Sequence, residues 1–376
     1  MSQSLTIKSV RVRVYRCPLD SPVQTSFGTM HDRPMVLVSV TTPSGETGWG
    51  EIWCNFPAVG AEHRARLVDS VLAPLLTGKT FSGPEHAYEH MVAATRILAI
   101  QSAEPGPFAQ AIAGLDIALW DLAGRQSGQP LWKLLGGDDP RIPVYASGLN
   151  PTAPERLAWQ RYEDGFRAFK LKIGFDLARD VANLESLRGT LGEDVELMVD
   201  ANQAWTLNAA MESVPHLEKF RLAWLEEPLA ADRPWSEWAT LRSRTTIPLA
   251  GGENLAGTYA FDTALKEKAL SIVQPDVAKW GGITECLPLA RRILNSNKRY
   301  YPHYLGGGIG LLASAHLLAA AGGDGALEID SNPNPLRALL CGPLADIDDG
   351  FSTLTPEPGL GVTPDLETLQ SYAVSH

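Results

Sequence analysis

The sequence is poor in cysteine and has no long apolar run. Its 376 residues include four scattered cysteines (Cys17, Cys54, Cys286 and Cys341) and no CxxC pair. This usage gives no disulfide framework and favours reduced thiols in the cytoplasm. No stretch of about 18 apolar residues is present, and the N-terminus lacks the apolar core of a signal peptide. We therefore expect a cytoplasmic protein without a membrane partner.

Basic residues are in deficit as well. The chain has 32 Lys and Arg against 43 Asp and Glu, a net charge of −11. An acidic chain repels nucleic acid and anionic membranes, so neither is an expected partner. The hydrophobic content of 44% and the length predict packed cores in two domains.

Two patterns divide the chain. Alternating apolar and polar residues, followed by helical periodicity, predict an α+β domain over residues 1–140. Short apolar runs then alternate with helices, which predicts an α/β domain with a parallel sheet over residues 141–330. The eight strand candidates are 144–149, 168–174, 196–202, 222–228, 248–254, 270–277, 298–305 and 325–330.

Eight parallel strands match closure into a barrel. The last helix is hard to place, because the chain becomes rich in proline after Asp330. Residues 331–376 resemble loop and strand, with strands expected at 351–354 and 355–362. This segment is expected to return to the first domain.

Seven of the strand candidates end in a polar or ionisable residue, at intervals of 23–28 residues. These residues are Lys172, Asp200, Glu226, Glu253, Asp276, His303 and Glu328. A β/α barrel assembles its active site from the carboxyl ends of its strands, one unit after another. The regular interval therefore predicts one site at the barrel mouth.

Three consecutive units end in carboxylates: Asp200, Glu226 and Glu253. Unit charges about 4 Å apart repel by roughly 4 kcal/mol at an effective dielectric near 20, so a cation is expected among them. All-oxygen ligation selects a hard ion such as Mg²⁺. The alternative is that each carboxylate caps the helix after its strand, but three in succession favour the metal site.

Lys170 and Lys172 are two residues apart on one strand, so both point to the same face. Mutual repulsion and burial in a barrel are expected to lower the pKa of each lysine and to make a general base. The alternative is a solvated pair on an edge strand.

Asp276 and His303 end neighbouring strands, and a carboxylate beside an imidazole raises its pKa and makes an acid–base catalyst. Glu328 is open to two interpretations, a protonated hydrogen-bond donor to substrate or a helix cap. His316, on an apolar helix, is expected to be a core residue.

The motifs together resemble the enolase superfamily, and within it the mandelate racemase subgroup, over nearly the whole chain. They are FKLKIG, VDAN, WLEEP, AGGEN, QPDVAKWGGIT, PHYLGGGIG and LEID in order, with GLDIALWDLAGRQSGQPLWKLLGG before them and PEPGLGV after them. The resemblance implies a modified TIM barrel of the (β/α)7β type. It also implies an α+β capping domain that the C-terminal segment completes.

The resemblance also implies roles for the residues at the strand ends. Asp200, Glu226 and Glu253 would hold one Mg²⁺ per subunit, which chelates a substrate carboxylate. Lys172 would remove the α-proton on one face, and His303, oriented by Asp276, would act on the other. Lys170 would neutralise the carboxylate and Glu328 would stabilise the enolate. The use of a Lys or His base with Mg²⁺ in this superfamily is general knowledge.

Two capping-domain loops, matching residues 21–34 and 53–60, would shape specificity. The candidate substrate-binding residues are His31, Arg33, Trp53, Asn55 and Asn202, and Phe27 adds an aromatic ring to the first loop. Arg33 is the obvious cation for a distal carboxylate. A small-molecule carboxylate is the implied partner, and a homo-oligomer such as an octamer is the implied assembly.

Dehydration of an acid sugar is the leading functional interpretation. Racemisation or epimerisation of a 2-hydroxy acid comes next, followed by cycloisomerisation of a sugar lactone. Muconate-lactonising relatives carry a lysine on the sixth strand, where this chain has Asp276. A catalytically silent metal-binding protein is the alternative from a different class.

Overall fold

The computed structural model describes residues 4–24 and 28–376. Within these residues the chain forms fifteen strands. They are β1 (Leu5–Thr6), β2 (Ser9–Gln24), β3 (Thr29–Thr41), β4 (Thr47–Ile52), β5 (Thr80–Phe81), β6 (Arg141–Leu149), β7 (Ala168–Lys172), β8 (Glu196–Asp200), β9 (Leu225–Glu226), β10 (Leu249–Gly251), β11 (Ile272–Val273), β12 (Arg299–Tyr300), β13 (Leu327–Asp330), β14 (Phe351–Thr353) and β15 (Ala373–Val374).

The same residues form fourteen α-helices. They are α1 (Gly60–Leu67), α2 (Ala73–Leu76), α3 (Pro84–Gln101), α4 (Pro105–Ser127), α5 (Leu131–Leu134), α6 (Pro154–Glu163), α7 (Leu177–Leu191), α8 (Leu207–Leu217), α9 (Trp235–Arg242), α10 (Thr258–Glu267), α11 (Gly282–Asn295), α12 (Gly308–Ala321), α13 (Pro335–Ala338) and α14 (Leu366–Leu369). One π turn, Val68–Leu72, joins α1 to α2, and short 3₁₀ turns lie at Glu218–Phe220, Gly342–Ala345 and Gln370–Tyr372.

The capping domain is an antiparallel sheet covered by helices. Its strand order is β15-β2-β3-β4, and α4 packs across β4. The two elements touch because β4 carries glycine at the contact: a Cβ on Gly50 would lie 2.0 Å from the carbonyl oxygen of Gly114. Valines of β2 and β3 that face these helices are buried, which gives the domain its own core.

The second region is a parallel β/α barrel. Its strand order is β12-β11-β10-β9-β8-β7-β6-β13, all parallel, and helices lie between successive strands. The two ends of this ladder approach each other at Gly325, just before β13, where a Cβ would come within 1.8 Å of the carbonyl oxygen of Tyr300. Glycine therefore permits the approach that curls the sheet.

Aromatic side chains fill the interior of the barrel below its mouth. Trp224 and Tyr301 make an edge contact with ring centroids 4.8 Å apart, and Tyr145 packs against both. All three are buried, together with Met198 and Ile272. This layer is a packed floor on which the polar residues at the strand ends rest.

The C-terminal segment connects both regions. β14 pairs antiparallel with β6, the first strand of the barrel, whereas β15 pairs with β2 of the capping sheet. Between them, the backbone N–H of Leu360 donates to Asp121 of α4 at 2.7 Å. The division at residues 140 and 330 stays a prediction that these contacts support.

Buried acidic residues of the capping domain bind the N-termini of barrel helices. Asp116 of α4 accepts hydrogen bonds from the backbone N–H and the hydroxyl of Thr284, at 3.0 and 2.6 Å, in the first turn of α11. Glu51 of β4 accepts from the N–H of Gly310, at 2.9 Å, in the first turn of α12. The partial positive charge of a helix N-terminus favours such carboxylates.

The predicted barrel with a capping domain is confirmed, and several element boundaries differ. The barrel strands are shorter than expected, with only two residues each in β9, β11 and β12. The strand expected at 355–362 is wrong: this stretch is a loop, held by hydrogen bonds between Gly359 and the segment around Leu131. Across the described residues, helices are too short or too polar to cross a bilayer.

We expect Asp116 to make stability depend on pH. Burial raises the pKa of its carboxyl group to about 8, opposed by hydrogen bonds from Thr284, whereas an unfolded Asp titrates near 4. The unfolded chain therefore releases this proton first, and the free energy of unfolding falls as the pH rises from about 4 through about 8. Urea unfolding of Asp116→Asn across this range should show a flatter profile.

Asp349→Asn is the control, because that carboxylate is exposed and paired with Arg167 at the surface. An unchanged pH profile in Asp116→Asn would contradict the assignment. Asp116→Ala, which leaves buried donors without an acceptor, should lose about 1–3 kcal/mol.

Candidate active site

The carboxyl ends of the barrel strands bring the predicted polar residues into contact. Lys172 pairs in register with Asp200, and Asp200 pairs with Glu226, on strands β7, β8 and β9. Lys170 precedes Lys172 by two positions, so the period of a strand turns both toward the barrel axis. The hydrophobic residues that alternate with them along the strand, Phe169 and Leu171, point to the opposite face and are buried.

Lys170 lies sealed between two carboxylates. Its Nζ contacts Glu226 Oε1 and Oε2 at 2.9 and 2.7 Å, and Glu328 Oε1 at 2.7 Å. Burial acts to lower the pKa of this lysine, but the charges of Glu226 and Glu328 outweigh it and hold the pKa well above its usual value. Lys170 is therefore a permanent cation.

Lys172 contacts Asp200, with 2.5 Å between Nζ and Oδ2. Burial acts to lower its pKa, but the Asp200 carboxylate raises it, and the pKa of Lys172 is above its usual value. The expectation of lowered pKa values for the lysine pair is thus wrong in this structure. Repulsion between the two ammonium groups is weaker than the attraction each has for its own carboxylate.

Glu226 and Glu328 have opposite pKa shifts although both contact Lys170. Burial raises the pKa of Glu226 to about 7, against the charge of Lys170 and with the help of nearby Asp200. For Glu328, burial is outweighed by Lys170 and His303, which lower its pKa to about 2. Glu328 is therefore ionised, neither the protonated donor nor the helix cap considered from the sequence, and it also accepts from Ser147 at 2.5 Å.

His303 and Asp276 form the expected pair, with 2.7 Å between Nδ1 and Oδ2. The other ring nitrogen of His303 contacts Glu253 and lies 3.8 Å from Glu328. Burial acts to lower the His303 pKa, but the charges of Glu253 and Glu328 raise it well above its usual value. The imidazole is therefore charged near neutral pH and can donate a proton.

Lys172 and His303 reach this cluster from different sides of the barrel. β7 and β12 are separated by β6 and β13 in one direction, and by β8 to β11 in the other. Asp200 and Glu226 end the strands β8 and β9 between them, and Glu253 follows the end of β10. A substrate held at these carboxylates would thus meet an amine on one side and an imidazole on the other.

The donor set fits a hard divalent cation in its chemistry. Five carboxyl groups, four of them buried and that of Glu253 partly buried, face three cationic side chains across the mouth. The acids are Asp200, Glu226, Glu253, Asp276 and Glu328, and the cations are Lys170, Lys172 and His303. Within residues 4–24 and 28–376, no three acidic, His or Cys side chains form a preassembled metal cluster. Glu253 instead lies against His303, and Asp200 against Lys172.

Three of the five predicted substrate-binding residues lie near this network. Asn202 donates from its backbone N–H and side chain to Asp200, at 2.7 and 3.0 Å. Trp53 stacks under the ammonium group of Lys279, 4.7 Å from the ring centroid. Asn55 donates to the carbonyl of Leu305 at 2.6 Å, two residues after His303.

The first capping loop is placed differently from the expectation. Arg33 is buried and paired with Asp330 at 2.6 Å, so its charge is neutralised within the protein. His31 is exposed on β3. Phe27 lies outside the described residues. The substrate contacts of Arg33 and His31 stay predictions. The ion pair with Asp330 disfavours a substrate contact of Arg33.

Sequence reasoning missed several polar residues around the cluster. Gln274 donates to Glu226 at 2.7 Å, and its spacing of two from Asp276 could have identified it. Glu227 is buried beside the acidic cluster, and its two carboxyl oxygens accept from the Asn254 amide at 3.1 and 2.8 Å. The same amide also donates to Glu253 at 2.9 Å. Ser147 lies near the end of β6, the first barrel strand, without any distinctive motif.

Comparison with known families identifies two matching regions. The family described as "Mandelate racemase / muconate lactonizing enzyme, N-terminal domain" matches residues 7–136. The one described as "Enolase C-terminal domain-like" matches residues 154–368. Together they account for most of the chain.

Curated relatives of similar length include two enzymes of acid sugars. A 3,6-anhydro-alpha-L-galactonate cycloisomerase from Streptomyces coelicolor is 34% identical, over 98% of this chain and 99% of the relative. An arabinonate dehydratase from Saccharolobus solfataricus is 30% identical, over 89% of each chain.

Similar solved structures have the same architecture. A mandelate racemase/muconate lactonizing enzyme from Bordetella bronchiseptica is 55% identical, with a TM-score of 0.94 over 98% of this chain and 100% of that one. A racemase from Streptomyces coelicolor, solved with bound magnesium, is 32% identical, with a TM-score of 0.87 over 98% and 100% of the two chains.

We expect Lys170→Met to destabilise the fold by about 3–5 kcal/mol, because it leaves buried carboxylates without their cation. Urea unfolding would measure the loss. Lys219→Met is the matched control, because Lys219 forms an exposed pair with Glu185, and such pairs contribute about 0–1 kcal/mol. Equal effects of the two substitutions would show that the ion pairs of Lys170 with Glu226 and Glu328 do not stabilise the fold.

Proposed function

Because the chain belongs to the mandelate racemase/muconate lactonizing enzyme family of the enolase superfamily, we propose that it removes the proton next to a substrate carboxylate and dehydrates an acid sugar. The protein is an enzyme, a lyase or an isomerase, as its relatives are. The alternative of a catalytically silent metal-binding protein is therefore set aside. The observation that carries the proposal is the approach of Lys172 and His303 to one carboxylate cluster from two sides.

Lys172 is the proposed base for the α-proton. Its ammonium group loses a proton more readily once Asp200 is engaged elsewhere, because that carboxylate is what raises its pKa. The neutral amine then accepts the α-proton, and the electrons of the C–H bond form an enolate. Lys170 stays charged and opposes the negative charge that develops on the carboxylate.

His303 is the proposed acid. Asp276 holds the ring through Nδ1, which leaves Nε2 to face the substrate. The imidazolium donates its proton to the β-hydroxyl as the C–O bond breaks, and water leaves. The enol product then tautomerises to a 2-keto-3-deoxy acid.

Asp200, Glu226 and Glu253 are the proposed ligands of one Mg²⁺ per subunit, and the magnesium-bound racemase supports this assignment. When bound, the ion supplies Lewis-acid stabilisation of the charge on the substrate carboxylate. Asp200 and Glu253 contact Lys172 and His303 respectively, so engaging these carboxylates frees both catalytic side chains toward the substrate.

Two other outcomes share the same first step. Return of a proton to the opposite face by His303 would give a racemase or an epimerase, as a relative named as an N-succinyl-L-Arg/Lys racemase illustrates. A cycloisomerase of a sugar lactone or anhydro sugar is the other candidate. Dehydration is preferred because several relatives are named as acid-sugar dehydratases.

A small carboxylate is the proposed partner, as in similar structures solved with mandelic acid or 2-oxoglutarate. The homo-oligomer, including an octamer, and the cytoplasmic location stay predictions. The four cysteines are buried and unpaired, which is consistent with that location.

Incubation with Mg²⁺ and a panel of sugar acids in D₂O tests the reaction. A 2-keto-3-deoxy product indicates dehydration, and deuterium at the α-carbon without loss of water indicates epimerisation. Lys172→Ala and His303→Asn should each lose about 10²–10⁴-fold in turnover. Lys219→Ala, at the surface, is the control. Full activity of both active-site variants would show that the base assignments are wrong.

Thermal unfolding with and without Mg²⁺ tests the ligands without any substrate. An ion present at about 100 times its dissociation constant stabilises the folded state by roughly 2.7 kcal/mol. Asp200→Asn and Glu253→Gln should lose most of this stabilisation, whereas Asp276→Asn, a carboxylate of the same site, should retain it. Equal losses in all three would overturn the ligand assignment.

A further inference from the structure

The segment that follows His303 rests on the capping domain. Glu51, the fifth residue of β4, is 2% exposed and reaches across the domain boundary. Its Oε2 accepts from the backbone N–H of Gly310 at 2.9 Å, and its Oε1 accepts from the N–H of Gly307. Gly307 immediately precedes α12 and Gly310 lies in its first turn, so both donors follow His303 in the chain.

This contact is closely fitted. A Cβ on Gly307 would lie 2.7 Å from Glu51 Oε1 and 2.5 Å from the sulfur of Met35, so only glycine allows the backbone to approach this carboxylate. Asn55 adds a second hydrogen bond from the capping domain, to the carbonyl of Leu305 at 2.6 Å. The capping domain thus holds both ends of a turn that begins two residues after His303.

We propose that Glu51 is a positioning residue of the active site: it fixes the turn at residues 305–310 and, through it, the imidazole of His303 between Asp276 and Glu253. This role of Glu51 rests on the proposed function in one respect, the assignment of His303 as the acid. The two backbone hydrogen bonds that Glu51 accepts at the start of α12 constrain the backbone there, which suits them to this task.

Lys172 provides an internal contrast. Its position follows from the pairing of β7 with β8 and from its contact with Asp200. Loss of the Glu51 carboxylate should therefore disturb the chemistry of His303 more than that of Lys172.

Hydrogen exchange followed by mass spectrometry tests the positioning role without substrate. In Glu51→Ala, the amides of residues 305–310 and the C2 hydrogen of His303 should exchange about tenfold faster or more, the size expected for a lost hydrogen bond to a charged group. Glu51→Gln keeps one acceptor oxygen, so its exchange rates should lie between those of the wild type and those of Glu51→Ala.

Asp121→Asn is the matched control. Asp121 is also a buried capping-domain carboxylate with backbone partners, the N–H groups of Trp49 and Leu360, but it lies away from His303. The proposal would be overturned if the His303 C2 hydrogen exchanged in Glu51→Ala at the wild-type rate. It would also be overturned if Asp121→Asn accelerated this exchange as much as Glu51→Ala does.

Kinetics in D₂O provide the second measurement. Relative to wild type, Glu51→Ala should lower product formation by roughly 10-fold or more, mainly in kcat, while exchange of the α-proton by Lys172 changes by less than about threefold. Equal losses in both steps would contradict the positioning role. If His303→Asn itself retains product formation, the proposed function fails, and the exchange measurements still decide the role of Glu51.

Discussion

Mutual neutralisation of buried charges in the barrel mouth is the constraint on which the rest of the site depends. A buried carboxylate or ammonium group alone is costly, and the cost is offset only when partners and hydrogen bonds surround it. Here the strand register places Lys172 beside Asp200 and Asp200 beside Glu226, while Glu328 closes the network from the other end of the sheet. The carboxyl groups outnumber the cationic side chains around them, which supports the proposed Mg²⁺ site.

The two regions of the chain divide the work between them. The barrel supplies the charged side chains, and a buried aromatic layer that includes Trp224 packs inside the barrel below them. The capping domain supplies acceptors for barrel helices, Asp116 for α11 and Glu51 for α12. These helices follow the strands that lead to Asp276 and His303. The capping domain therefore contacts the helices that follow Asp276 and His303, the proposed acid and its carboxylate partner.

Much of this arrangement could be predicted from the sequence, because it follows from two regular spacings, that of side chains along a strand and that of successive β/α units. The alternation of a strand turned Lys170 and Lys172 to one face, and the spacing of the β/α units placed Asp200, Glu226 and Glu253 at one mouth. Both spacings act over short distances along the chain, so they can be read without knowing any long-range contact.

The errors arose where distant residues decide the outcome. The pKa of Lys172 depends on Asp200, which only strand pairing brings into contact. The partner of Arg33 in this structure is Asp330, which is distant in sequence, and the substrate contact of Arg33 stays a prediction. The strand expected at 355–362 is a loop, because Asp121 and the α4–α5 connection use its backbone groups. Local patterns contain none of this information.

The two lysines of β7 differ in their access to solvent, and this difference separates two kinds of positive charge. The side chain of Lys170 is 0% exposed and that of Lys172 is 14% exposed. A proton on Lys170 has no contact with water, so the charge there is static and acts as part of the scaffold. Lys172 reaches solvent, which suits the proposed base because its proton must be exchanged with the surroundings. One short strand thus carries a buried positive charge and, two residues later, a solvent-accessible one.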